Sequence, residues 1–242
     1  MKLLISVTNK DEAIEAVFGE ADIIDVKNPV EGSLGAHFPR IIRSVREVVP
    51  REFEISAAIG DVPNLPGTVS LAALGAAVCE VDYVKLGMYG PKNFDSALFL
   101  AKEVCRAVKE TMPDVKVVIA GYADYQRAGC LNPLLIPEIV RRADADVAMI
   151  DTKIKDGKKI FSFLNDQQLL SFIDKVHDHG FMAAIAGSLG KEDVKRVYEL
   201  GADVIGFRSA ACVGDRVKGK VKRERVLEIK EQIRALSQAS SF

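Results

Sequence analysis

Short apolar runs alternate with longer amphipathic segments along the whole chain, and this alternation limits the folds that the chain can adopt. Each run has only four to six residues, is rich in Val and Ile, and is apolar almost continuously, which is typical of parallel strands buried on both faces. The runs recur about every 29 residues, which is the length of one βα unit. They span residues 3–7, 23–26, 54–59, 83–87, 116–120, 147–150, 182–186 and 204–207.

The segments between these runs show apolar residues at helical spacing. The clearest patterns cover residues 11–18, 94–109, 169–179, 193–200 and 223–236. Eight strands and about eight helices in 242 residues predict an α/β protein with a single (β/α)₈ TIM-barrel catalytic domain over residues 1–242. A doubly wound open sheet is disfavoured, because the first turn, at residues 7–10, lacks the GxGxxG motif.

Composition and charge argue against several classes of protein. The chain has 33 Lys+Arg and 34 Asp+Glu, so its formal net charge is -1 and a nucleic-acid partner is not expected. The longest apolar run, residues 71–78, is far shorter than a membrane span, and the N-terminus predicts a strand rather than a signal peptide. Four cysteines lie far apart with no CxxC pair, which favours a reducing cytoplasm and disfavours disulfides.

Lysine and aspartate residues stand at the carboxyl ends of three predicted strands, where a barrel carries its active site. Asp25 and Lys27 end the second strand, and Lys85 lies near the end of the fourth. Asp151 ends the sixth strand, and Lys155 follows it. Crowded, partly buried lysines have lowered pKa values, and a neutral amine can form a Schiff base with a carbonyl substrate. Asp25 could hold the amine of Lys27 and relay protons, or form a plain ion pair, and Lys155 could be an acid/base or a clamp for phosphate.

Loops of small residues follow the seventh and eighth predicted strands, which is where barrel enzymes often bind phosphate. Small residues allow backbone N–H groups to approach phosphate oxygens, and a helix N-terminus favours an anion. An arginine in the second loop could add a bidentate contact. The predicted phosphate-binding residues are Gly187, Ser188, Gly206, Arg208 and Ser209.

Neither a metal ion nor an organic cofactor is expected. The three histidines, His37, His177 and His179, all lie away from the predicted strand ends. His177 and His179 fall at the end of a predicted helix, where histidine commonly interacts with the terminal carbonyls. An Asp/His set of the kind found in metal-dependent barrel epimerases is missing, so the sequence predicts a reaction without a metal.

Several stretches of the sequence carry a resemblance to a known family: residues 3–7, 25–36, 84–87, 151–157 and the two phosphate loops. Along essentially its whole length the chain resembles the archaeal (5-formylfuran-3-yl)methyl phosphate synthases. These enzymes are also called 4-(hydroxymethyl)-2-furancarboxaldehyde-phosphate synthases, and they act in methanofuran biosynthesis. The lysines at the predicted strand ends show no departure from this resemblance.

The resemblance implies a metal-free carbon–oxygen lyase that joins two molecules of glyceraldehyde 3-phosphate, loses one phosphate and water, and closes a furan ring. It also implies that Lys27 forms the Schiff base and that Lys85 acts as an acid/base. A cytoplasmic homo-oligomer whose partner is a phosphorylated small molecule is expected. The residues alone reach only a lysine-dependent, aldolase-like reaction on a phosphorylated carbonyl compound.

Two other functions are compatible with the same residues. The first is a generic Schiff-base aldolase of the deoxyribose-phosphate type, acting on a phosphorylated sugar, in which the reactive lysine of the sixth strand would be Lys153. The second is a barrel that binds a phosphorylated metabolite without turning it over and regulates a partner. Mapping of a trapped imine distinguishes the first, and an assay for furan formation distinguishes the second.

Overall fold

A computed structural model describes residues 1–239 and confirms the predicted TIM barrel. Eight parallel strands form a closed barrel in which each strand pairs with the next along the chain and the eighth pairs with the first. The strands are β1 (Lys2–Val7), β2 (Ile23–Val26), β3 (Glu54–Ala58), β4 (Tyr83–Gly87), β5 (Lys116–Tyr122), β6 (Val147–Asp151), β7 (Met182–Ile185) and β8 (Val204–Phe207). A short antiparallel pair, β9 (Cys212–Val213) and β10 (Lys220–Val221), follows the barrel.

Helices connect the barrel strands and surround them. They are α1 (Lys10–Phe18), α2 (Pro39–Val48), α3 (Pro66–Ala77), α4 (Phe94–Lys109), α5 (Tyr125–Ala128), α6 (Ile136–Ala143), α7 (Asp166–His177), α8 (Val194–Glu199) and α9 (Arg223–Ala239). Among residues 1–239, no helix is both long and apolar enough to cross a membrane.

The predicted strand bounds agree with the structure to within two residues, and the differences have local causes. β5 runs on to Tyr122 because Gly121 and Tyr122 still pair with the end of β6. α7 begins earlier than its apolar pattern indicates, because Asn165 and Gln168 form a reciprocal capping box around polar residues of the first turn. Apolar spacing locates the body of a helix, whereas side-chain caps decide where it begins.

Alternation along the strands separates an outer core from an inner one. Side chains such as Leu3, Ile5 and Val7 of β1 point outward and pack against the helices. The inner core fills the barrel, and its members include Leu4, Ile23, Tyr83, Val118, Val147, Met149, Ala184 and Val204. Polar residues with the same parity as this inner set therefore point into the barrel, one layer nearer to the carboxyl ends of the strands.

The loop between β2 and α2, residues 27–38, folds back over one side of the barrel mouth, and we call it the covering loop. Its Leu34 is fully buried in the inner core. The amide of Leu34 donates to Asp61 at 3.1 Å, and its carbonyl accepts from the amide of Gly60 at 3.0 Å. Gly35 allows this path, because a Cβ there would lie 2.1 Å from the carbonyl oxygen of Asn28. The covering loop thus closes the mouth beside β3 and β4.

Candidate active site

A cavity opens at the carboxyl ends of β1, β2, β4 and β6–β8. The structure brings together all but one of the predicted site residues on its walls. These are Lys27, Lys85, Asp151, Lys155, Gly187, Ser188, Gly206, Arg208 and Ser209. Asp25 lies directly behind Lys85 and is fully buried.

Asp25 and Lys85 form a buried ion pair inside the barrel. The Nζ of Lys85 lies 2.7 Å from Oδ1 of Asp25, and both side chains are almost completely shielded from solvent. The hydroxyl of Ser6 donates to Oδ2 of Asp25 at 2.8 Å. Burial raises the pKa of Asp25, but the charges of Lys85 and Lys27 outweigh burial and lower it below its usual value. Asp25 therefore forms an ion pair with Lys85 and does not directly hold the amine of Lys27, as the sequence suggested it could.

Lys27 carries an amine without a protein partner. Its side chain is 6% exposed and lines the cavity, yet within residues 1–239 its Nζ makes no hydrogen bond or ion pair. The pKa of Lys27 is lowered to about 7. Burial is the largest cause, and the charges of Lys85 and Lys155 act in the same direction. The carboxylates of Asp151 and Asp25 oppose this shift. A substantial fraction of the amine is therefore neutral near pH 7, as nucleophilic attack on a carbonyl requires.

A second network surrounds Asp151 on the opposite wall. Its Oδ1 accepts from the Nζ of Lys155 at 2.5 Å and from the amide of Thr152 at 2.7 Å. Ser33 of the covering loop donates to the carbonyl of Thr152 at 2.8 Å, which ties the loop to the end of β6. Burial raises the pKa of Asp151, but Lys155 and Lys27 outweigh it and lower the pKa to about 2. Asp151 is thus ionised throughout the neutral range and holds the ammonium of Lys155 at the cavity.

The two predicted phosphate loops, residues 186–190 and 206–211, present backbone amides at one end of the cavity. Within residues 1–239, the amides of Gly187, Ser188, Leu189 and Ser209 donate to no protein acceptor, and all four residues line the cavity. Unpaired amides in concave turns form binding sites for anions. This end of the cavity can therefore bind one phosphate group through the backbone.

The backbone of the first phosphate loop has an unusual conformation. Gly187 and Ser188 both have positive φ angles, of 119° and 55°. A Cβ on Gly187 would lie 3.0 Å from Cβ of Ile160 and 3.2 Å from Cγ2 of Thr152, so a side chain at this position would disturb the turn. Non-glycine residues in this region are strained and cluster at functional sites. The conformation is consistent with a turn shaped to expose consecutive amides.

Arg208 differs from its predicted role. Its guanidinium donates to both carboxylate oxygens of Glu12, at 2.5 and 3.1 Å, and to the carbonyl of Ser6 at 3.0 Å. It also donates to the carbonyls of Arg216, at 3.0 Å, and Gly219, at 3.2 Å. A guanidinium has five N–H donors, and these contacts use all five. The expected bidentate phosphate contact from this side chain is corrected: Arg208 is a buried structural anchor that contributes only a wall of the cavity.

Two polar residues at the site were not predicted from the sequence. Ser6 lies near the carboxyl end of β1 on the same face as the inward-pointing Leu4, so alternation within that strand held a signal for it. Arg216 lines the cavity from the segment between β9 and β10, where no periodicity or motif points to a function. Its guanidinium donates to the carbonyls of Pro29 and Gly32 in the covering loop, each at 3.3 Å.

Lys153, the lysine nominated by the aldolase alternative, lies outside the cavity. Its Nζ is 3.6 Å from a carboxylate oxygen of Asp61 and 4.6 Å from the centre of the Tyr89 ring. Its amide is fixed at 2.6 Å from the Asp124 carboxylate. β6 ends at Asp151, so Lys153 lies in the loop that follows. Its side chain therefore does not point into the barrel as the side chain of Asp151 does. This placement disfavours Lys153 as the reactive lysine.

No arrangement of three or more His, Cys, Asp or Glu side chains suited to a metal ion occurs in the described part of the chain, residues 1–239. His177 does not contact helix-terminal carbonyls as expected; instead its Nε2 lies 2.8 Å from the Asp203 carboxylate. That aspartate also accepts from the amide of Ala183 at 2.7 Å. Both contacts are at the amino ends of β7 and β8, so His177 is remote from the cavity. Independence from metal stays a prediction.

Comparison with known proteins shows the family of this chain. A family model described as 4-HFC-P synthase matches residues 3–230, nearly the whole chain. The chain belongs to this family. A (5-formylfuran-3-yl)methyl phosphate synthase from Methanothermobacter thermautotrophicus is 53% identical over 232 residues, which cover 96% of this chain and 98% of that protein. The protein of the same name from Methanocaldococcus jannaschii is 52% identical over 232 residues, covering 96% of this chain and 99% of its own length.

Several solved structures share the fold of this chain. A 3-hexulose-6-phosphate synthase from Salmonella typhimurium has a TM-score of 0.63 at 21% identity and covers 96% of this chain and 100% of its own. A phosphoribosyl anthranilate isomerase from Thermus thermophilus has a TM-score of 0.64 at 17% identity and covers 98% of this chain and 100% of its own. These likenesses agree with the barrel and say nothing about the substrate of this chain.

Proposed function

We propose that the protein condenses two molecules of glyceraldehyde 3-phosphate into (5-formylfuran-3-yl)methyl phosphate, with loss of phosphate and water, in methanofuran biosynthesis. The names of the close relatives and the resemblance of residues 25–36 and 84–87 support this substrate and product. The single observation that carries the mechanism is the unpaired, buried amine of Lys27, with a pKa lowered to about 7, beside ion-paired lysines.

Lys27 is the proposed nucleophile. Its neutral amine attacks the carbonyl carbon of the first substrate molecule, and loss of water gives an iminium that acidifies the neighbouring carbon. The amines of Lys85 and Lys155 are each bound to a carboxylate, at 2.7 and 2.5 Å. We therefore assign the role of nucleophile to Lys27, whose amine has no partner within residues 1–239, and proton transfer to the paired lysines. The ammonium that protonates the departing water becomes an amine, which then accepts the proton of the neighbouring carbon.

Proton transfer at the iminium is assigned to Lys85, held by Asp25, and to Lys155, held by Asp151. Lys85 enters from below the cavity and is 1% exposed, which suits an acid that exchanges protons with the substrate and not with bulk water. Lys155 is closer to the opening, with 13% of its side chain exposed. Its ammonium can neutralise and protonate a departing phosphate. Asp25 and Asp151 are positioning residues in this scheme.

The substrate phosphate is assigned to the amides of the two phosphate loops, at Gly187, Ser188 and Ser209. These donors are neutral and fixed by the backbone, so they require no reorganisation when an anion binds. Gly206 leaves space beneath them, because a Cβ there would lie 3.2 Å from Cβ of Ala186. Lys27 and the phosphate loops line the same cavity, which supports binding of one triose phosphate by both.

The experiment that tests the proposal is incubation of the protein with glyceraldehyde 3-phosphate while the ultraviolet absorbance of a furan aldehyde is followed. We expect product from the wild type and none from Lys27→Arg, because guanidinium does not deprotonate and cannot form an imine. Lys102→Arg, an exposed position on α4, is the matched control and should retain full activity. Substrate binding without furan formation by the wild type would support a non-catalytic barrel instead.

Cellular location and oligomeric state remain sequence-based expectations. We expect a single catalytic domain in the cytoplasm, a homo-oligomer, and no nucleic-acid partner, as the sequence predicts. Size-exclusion chromatography with light scattering would measure the oligomeric state directly.

A further inference from the structure

Five cationic side chains line the cavity, and their pairing divides them into distinct groups. Lys85, Lys155 and Arg208 are each bound to a buried carboxylate, at 2.5–2.7 Å. Lys27 is the unpaired nucleophile described above. The fifth cation, Arg216, has no carboxylate within ion-pair distance in residues 1–239, and it contacts only two neutral carbonyls at 3.3 Å. Two of its five N–H donors make these contacts, so three remain for an anion.

Hydrogen bonds hold the segment that carries Arg216, residues 212–221, in place. We call this segment the arm. Arg208 donates to the carbonyls of Arg216 and Gly219 within it. The carboxylate of Asp215 accepts from the amides of residues 217 and 218, at 2.7 and 2.8 Å, and so closes the turn. Gly219 fits only without a side chain, because a Cβ there would lie 2.2 Å from the carbonyl oxygen of Asp215. The guanidinium of Arg216 is therefore held at the cavity on a fixed base.

Arg216 reaches from the arm to the covering loop, across the side of the mouth that the loop leaves open. Its two acceptors, the carbonyls of Pro29 and Gly32, belong to the same loop that begins at Lys27. Arg216 is partly exposed, whereas the side chain of Lys27 is buried. An anion bound by Arg216 would thus lie nearer to solvent than a substrate attached to Lys27.

The proposed reaction uses two phosphorylated trioses, and the phosphate loops are assigned above to the phosphate of one of them. We infer that Arg216 binds the phosphate of the second substrate molecule, the one that is not attached to Lys27. This inference rests on the proposed function and adds the subsite for its second substrate. The two long contacts to carbonyls hold the guanidinium in place when the subsite is empty, and a phosphate dianion, as a charged acceptor, binds more strongly than either carbonyl.

Two measurements distinguish the binding of the first substrate molecule from the binding of the second. Borohydride trapping of the imine reports binding of the first molecule alone, whereas furan formation requires both. For Arg216→Gln, we expect the substrate concentration that half-saturates trapping to stay within about 2-fold of wild type. The concentration that half-saturates furan formation should rise about 10- to 100-fold, the usual effect of losing one charge-assisted contact. Arg216→Lys keeps the charge without the fork of donors and should recover part of this loss.

The control is Arg106→Gln, an exposed residue on α4 far from the mouth, which should match wild type in both measurements. The inference is overturned if Arg216→Gln weakens trapping as much as furan formation, because Arg216 would then serve the first molecule. It is also overturned if neither half-saturating concentration changes. Absence of any trapped adduct in the wild type would instead refute the proposed function, so the two failures are distinguishable.

Discussion

Replacement of Lys27 by methionine should stabilise the protein, and the gain should depend on pH. Lys27 is buried without a partner, and burial lowers its pKa from the usual 10.5 to about 7. In the unfolded chain the amine returns to its usual pKa. Between pH 7 and 10.5 the unfolded chain therefore binds a proton that the folded chain has released, so the stability of the wild type rises with pH in this window. Methionine has no such proton and removes this dependence.

The magnitude follows from the pKa difference. Each unit of difference in pKa between the folded and unfolded states is worth about 1.4 kcal/mol, so the fall from 10.5 to about 7 corresponds to about 5 kcal/mol. Below pH 7 the folded protein carries the whole cost of a buried ammonium. We expect Lys27→Met to increase the free energy of unfolding by about 5 kcal/mol at pH 6 and by about 2 kcal/mol at pH 9. Asp25 and Asp151 stay ionised over this range, since their pKa values are lowered, and do not add to the slope.

Equilibrium unfolding in guanidinium chloride at pH 6, 7, 8 and 9 measures the effect. Lys102→Met, on the exposed face of α4, is the control and should differ from wild type by an amount that does not change with pH. A Lys27→Met gain that is the same at pH 6 and pH 9 would show that the amine titrates near its usual pKa in the folded protein. A gain that increases with pH would contradict the reasoning equally, because the sign would be reversed.

Three further predictions concern other parts of the site and its dependence on metal. Asp151→Asn removes a charge that raises the pKa of Lys27, so the pH at half-maximal imine trapping should fall; an unchanged profile would argue against their coupling. Arg208→Met leaves the Glu12 carboxylate buried and unpaired, and should cost about 3–5 kcal/mol of stability in urea unfolding, whereas a phosphate ligand would affect KM with little loss of stability. Exhaustive chelation should leave the rate of furan formation unchanged, and a loss restored by a divalent ion would contradict this.

The barrel and the deep wall of the site could be predicted because they follow from local patterns. A strand's alternation fixes which side chains share a face, so Asp25 and Lys27 could be assigned to one face from their own strand alone. The parallel register then brings strand ends together at one rim, which places Lys27 beside them. Neither step requires knowledge of a contact between distant residues.

The pairing within the site could not be predicted in the same way, because partners are chosen in three dimensions. Arg208 stands at a position that suits a phosphate ligand, but its partner Glu12 is 196 residues away and reaches it from α1. Asp25 shares a face with Lys27, yet the barrel interior gives it Lys85 as its partner. Arg216 lies in an irregular segment whose path depends on the Arg208 anchor. Sequence patterns located Asp25, Lys27, Lys85 and Asp151 at the strand ends, but they left open which charges would neutralise one another.

The central claim is that the unpaired amine of Lys27 is the nucleophile, and one measurement tests it directly. The wild-type protein is incubated with glyceraldehyde 3-phosphate, reduced with borohydride, digested and mapped by mass spectrometry. We predict a single adduct on Lys27, which disappears in Lys27→Arg and persists in Lys85→Arg. An adduct on Lys85, Lys153 or Lys155 in the wild type would contradict the assignment, even if furan is formed.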